Sequence, residues 1–98
     1  MKIEYERTGG FAGMRFAAKV DTASLSPTDS ASLHRLITDS KFFDLPPAIP
    51  STGADGFVYK LAVDEGRQQH VVEVGDSAIP DSLRPLLDHL HRLARRSP

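Results

Sequence analysis

The residues best suited by type to metal binding or proton transfer are the 4 histidines and the 13 acidic side chains. A zinc site needs such ligands at a workable spacing, and His34, His70, His89 and His91 do not supply it. His89 and His91 lie two apart on a segment that reads as helix, so they point to different sides. Solvated surface histidines are the expectation. With no cysteine, disulfides, Cys-based zinc sites and thiol nucleophiles all drop out. HExxH, P-loop and GxSxG patterns are missing as well. The acidic residues are scattered and mostly neighbour Lys or Arg, which suits surface solvation better than paired acid–base work. No catalytic residue, metal ligand or cofactor is therefore assigned.

Charge and composition narrow the partners. Lys+Arg 12 against Asp+Glu 13 leaves a formal charge of -1, whereas duplex binding usually needs a clear basic excess. Nucleic acid is not an expected partner. No stretch approaches the roughly 18 apolar residues of a membrane span. The chain is expected to be soluble and cytoplasmic. Its 98 residues, 40% hydrophobic and 26% charged, fit one globular domain over 1–98 and a monomer.

The positioning elements follow from periodicity. Residues 1–8 alternate with Ile3 and Tyr5 on one face, and 14–21 alternate with Met14, Phe16, Ala18 and Val20 together. These form a first hairpin. Ser26 and Pro27 mark a helix start, with Leu33, Leu36 and Ile37 at helical spacing up to about Ser40. Phe42 and Phe43 plug the end of the core, and 48–56 reads as a long loop. Residues 57–64 and 68–74 alternate around Glu65 and Gly66, giving a second hairpin. Leu83, Leu86, Leu87, Leu90 and Leu93 then predict a last helix to about Arg96, with Pro85 in its first turn and an Asp88–Arg92 pair on its surface. The order ββαββα predicts an α+β fold: a four-stranded antiparallel sheet with both helices on one face.

One loop stands apart. Gly9, Gly10, Phe11, Ala12 and Gly13 place a large apolar side chain at the tip of a glycine-rich hairpin connection, and exposed aromatics on loops are typical binding anchors. The loop 46–56 is a second candidate contact surface.

Several stretches together resemble the emfourin family: Met1-Lys2-Ile3, Arg7-Thr8-Gly9-Gly10-Phe11-Ala12-Gly13, Phe42-Phe43-Asp44-Leu45-Pro46, Asp55-Gly56-Phe57-Val58-Tyr59, and Ile79-Pro80 with Leu83-Arg84-Pro85-Leu86-Leu87. They occur in order over nearly the whole chain. Emfourins are small bacterial protein inhibitors of thermolysin-family zinc metalloproteases, especially protealysin-like enzymes. The resemblance therefore implies such a protease as partner and a reversible block of its active-site cleft by surface loops. It also implies that Phe11 fills the pocket for a bulky apolar side chain while the backbone of residues 9–13 mimics an extended substrate. The alternatives are a noncatalytic interaction module with a non-protease partner, and a small enzyme built from surface histidines and carboxylates.

Overall fold

The computed structural model describes residues 1–9, 14–50 and 56–96. Strand β1 (Lys2–Gly9) pairs antiparallel with β2 (Met14–Asp21) on one side. On its other side it pairs antiparallel with β4 (Phe57–Asp64), which continues through a tight turn into β5 (Gln69–Gly75). Gly66 makes that turn at φ 94°, and the Asp64 carboxylate accepts its N–H at 2.9 Å. A positive φ here suits glycine, and the Asx contact fixes the reversal.

The sheet has five strands, in the order β2-β1-β4-β5-β3, rather than the four expected. The fifth, β3 (Ala48–Ile49), runs parallel to β5 and makes the sheet mixed. It lies in the segment read from sequence as loop. Two residues cannot display a period, and prolines flank the pair at Pro47 and Pro50. The strand exists because the edge of β5 offers unpaired backbone groups: the Glu73 N–H donates to the Pro47 carbonyl at 2.9 Å.

Helix α1 (Pro27–Ser40) starts as its sequence demands. The Ser26 hydroxyl accepts the Asp29 N–H at 3.1 Å, and Pro27 occupies the first turn, where its missing donor costs nothing. It ends at Lys41, whose left-handed φ of 54° lets its N–H reach the Ile37 and Thr38 carbonyls. Helix α2 (Arg84–Arg96) follows a turn in which the Leu83 N–H meets the Pro80 carbonyl at 2.9 Å.

Both helices cover one sheet face. Leu33 and Ile37 of α1, with Leu86, Leu87 and Leu90 of α2, pack on Ile3, Tyr5, Leu61, Val63, Val72 and Val74, all of them buried. Phe42 is fully buried and meets Phe43 edge-on at 5.6 Å, so the expected aromatic plug is real. The opposite face faces solvent, which is why Val58 and Val71 remain 42% and 43% exposed. Glu6 pairs with Arg15 at 3.0 Å and Glu4 with Lys19 at 3.5 Å across that open face.

Leu86 is 0% and Leu87 4% exposed. Leu86→Ala and Leu87→Ala are each expected to cost about 2–5 kcal/mol in urea denaturation, because each leaves a cavity that the packed sheet cannot fill.

Candidate functional site

The pairing register determines which loops meet. Gly9 lies opposite Met14 on one side and Phe57 on the other. The glycine-rich connection of the first hairpin and the connection entering β4 therefore leave the sheet side by side, at the same end. Of the sequence-predicted contact residues Gly9, Gly10, Phe11, Ala12 and Gly13, the structure places Gly9; the other four lie outside the described residues. Gly9 holds φ 115°, and a Cβ built there would come within 2.6 Å of the Gly56 carbonyl oxygen. Only glycine fits that backbone and that approach together.

Behind this end sits a cluster that the sequence reading did not single out. Ile3, Tyr5, Arg7 and Gly9 fall on the helix-covered face of β1 by simple alternation. Arg7 is opposite Phe16 of β2 and Tyr59 of β4. Its guanidinium carbon stands 4.3 Å from the Phe57 ring centroid and 5.8 Å from that of Phe16, within cation–π range. One row further into the sheet, the Tyr5 hydroxyl lies 3.0 Å from Nδ1 of His91 on α2. The imidazole also rests on Phe16, centroid to centroid 4.8 Å.

The electrostatics of this pair are consistent with its geometry. Burial, then the neighbouring Tyr59 and Asp88, outweighs Arg7 and pushes the Tyr5 phenol up to about 12. Burial, then the positive charges of Arg7 and Arg95, holds His91 below its usual value against the opposing pull of Asp88. A protonated tyrosine donating to an unprotonated Nδ1 satisfies both groups. The adjoining cleft, about 150 Å³, is lined by Tyr5, Tyr59, Asp76, Arg84, Asp88 and His91. Asp88 lines this cleft, and among the described residues the expected Asp88–Arg92 ion pair does not form.

The expectation of four solvated surface histidines also needs correcting. His34 is exposed, but His70 donates from Nε2 to the Leu45 carbonyl at 2.7 Å and stands edge-on to Phe42 at 5.5 Å. With His91 tied to Tyr5, two of the four act as partly buried struts between elements, and His89 is partly buried as well. Their sequence positions carried a usable signal: His70 shares the β5 face of Val72 and Val74, and His91 lies four residues past Leu87, on the same helix face. Among the described residues, no group of three or more His, Asp or Glu side chains is arranged to hold a metal ion. A wider groove of about 480 Å³ opens at the other end of the sheet, near Lys2, Lys19, Asp21 and Asp64. The length of the strands separates it from the two loops and from the Arg7 cluster.

The fold and this end together describe a small α+β domain with an aromatic and cationic rim below two adjacent loops. The family model for emfourin matches residues 5–91. The chain thus belongs to the emfourin family, the noncatalytic protein inhibitors of protealysin-like, thermolysin-family metalloproteases. No curated protein and no solved structure gives a significant match to it.

Two outcomes follow from this geometry. Gly9→Ala is expected to destabilise the fold by about 1–3 kcal/mol in chemical denaturation, because the new Cβ meets both an unfavourable φ and the Gly56 carbonyl. For His91, the folded value lies below the ordinary 6.5, so the unfolded chain binds the extra proton first as pH falls. That contribution to stability is complete above about pH 6.5 and drains away until the folded value is passed. Urea midpoints between pH 7 and pH 5 should fall more steeply for the native chain than for His91→Gln; parallel slopes would contradict the linkage.

Proposed function

We propose that this chain, acting as a cytoplasmic monomer, inhibits its metalloprotease by reversibly inserting the loop of Gly9, Gly10, Phe11, Ala12 and Gly13 into the active-site cleft. The observation that carries this reading is the register at Gly9, which lies between Met14 and Phe57 and brings the ends of the two candidate contact loops together. A hairpin end of this kind suits a cleft, and the paired sheet behind it limits the ordering cost of binding. Phe11 is the anchor in this reading and fills the pocket that accepts a bulky apolar side chain. The loop 46–56 is the second contact surface in this reading. No residue in the sequence is suited to covalent attack on the enzyme, so the block is stoichiometric and reversible.

The test separates binding from folding. Purified protein titrated into a protealysin-like enzyme should abolish activity at a one-to-one ratio and act more weakly on thermolysin. Phe11→Ala should keep the melting temperature and weaken inhibition by at least about 2 kcal/mol, or roughly thirtyfold. Full inhibition by a folded Phe11→Ala protein would remove this loop from the mechanism. Full protease activity at a several-fold excess of native protein would remove the reading altogether.

A further inference from the structure

Arg7 occupies a position where a strand facing a core normally carries an apolar side chain. Ile3 and Tyr5, on the same face of β1, are each 1% exposed, and burying a charge in their manner without a partner would be costly. Arg7 avoids that cost because the core gives out one row beyond Tyr5, where the face is partly open. What it meets there is aromatic: Phe16 beside it on β2, and Phe57 below its guanidinium on β4.

This arrangement differs from that of two cations on the opposite face of the sheet. Arg15 and Lys19 lie on the solvent face and are occupied by Glu6 and Glu4. Arg7 instead lies over aromatic rings and, among the described residues, forms no ion pair. Ring contacts of that kind leave the guanidinium N–H donors available, and such a fork binds a carboxylate through two parallel hydrogen bonds. The local field has the matching sign. Arg7 from β1 and Arg95 from α2 both oppose a proton on His91, with Asp88 of α2 the acidic group acting against them. Tyr5, Tyr59, Asp76 and Arg84 are the other titratable groups that line this cleft.

We propose that Arg7, oriented by Phe57 and Phe16, receives the carboxylate of an aspartate or glutamate side chain at the rim of the target protease's cleft. The proposal rests on the reading that this end of the sheet meets the protease, since Arg7 stands one alternation from Gly9, where the anchor loop begins. A stacked arginine loses little further freedom when it binds, which is why such residues dominate interface energetics when they are desolvated by a partner. Phe11 supplies apolar burial, and Arg7 fixes the orientation of the inhibitor on the rim.

The test uses the whole chain and a protealysin-like protease that the native protein inhibits. Arg7→Met retains the bulk over the two rings without the charge, and Arg7→Lys retains the charge without the fork. Arg7→Met is expected to melt with the native protein and to weaken inhibition by about thirtyfold or more, and its association rate should lose most of its dependence on salt. Arg7→Lys should recover only part of the lost affinity. In ¹⁵N NMR, the Arg7 Nε–H of the native protein should move downfield and exchange slowly with water only in the complex. Native-like inhibition by Arg7→Met, or an Nε–H signal unchanged by the protease, would overturn the proposal while leaving the loop reading intact. The same shift produced by millimolar acetate in the free protein would mark a general anion site and overturn it too. Should Arg7→Met unfold, the NMR signal and Arg7→Lys still decide.

Discussion

The β1–β4 ladder is the interaction on which the rest of the molecule depends. Each hairpin alone would be a two-stranded ribbon, which is marginal in water. Pairing β1 with β4 over Lys2–Asp64 through Gly9–Phe57 joins the two ribbons into one sheet. That sheet has a continuous apolar face, made by Ile3, Tyr5, Leu61, Val63, Val72 and Val74, for the two helices to cover. Register here is tightly specified, because a slip of one residue would turn Ile3 and Tyr5 to solvent and Lys2 and Glu4 to the core. The same ladder sets the functional end. It brings the backbone of Gly9 so close to Gly56 that a side chain at position 9 has no space, and it forces the two loops to emerge as neighbours.

Packing weakens progressively along β1, and the chemistry of its side chains follows. Ile3 and Tyr5 are enclosed by helix α2 and the sheet, whereas Arg7 reaches a partly open margin. Tyr5 marks the transition: its ring is core, and its hydroxyl needs the His91 nitrogen because a buried donor left without a partner is costly. Beyond it, aromatic rings serve as a surface for a cation. An inhibitor needs this kind of gradient. A rigid interior supports the sheet, and the proposed contact with the protease falls at its open margin.

Two of the three partly buried histidines, His70 and His91, show how polar groups tie separate elements together. His70 connects β5 to the turn after α1 through the Leu45 carbonyl, and His91 connects α2 to the central strand. Each pins an element that apolar packing alone would position only loosely, since hydrophobic contact carries little direction. The His91 contact has a further consequence, because it couples helix docking to protonation near the Gly9 end of the sheet.

Periodicity alone determined most of the elements of this protein. Alternation identified β1, β2, β4 and β5, and the Ser26–Pro27 cap and the leucine spacing identified both helices, because each of these signals is local and carried by contiguous residues. The resemblance of GGFAG and the LRPLL stretch to emfourins pointed to the family, which the match over residues 5–91 shows. The tertiary structure decided what depends on partners distant in sequence. The two-residue β3 exists only because β5 has a free edge. The Tyr5–His91 contact joins residues 86 positions apart. Arg7, Phe16 and Phe57 become one cluster only when β1 lies between β2 and β4. Alternation could place Arg7 on the inner face, but only the sheet's extent beyond the helices determines that this face is open there, and so that an arginine can occupy it.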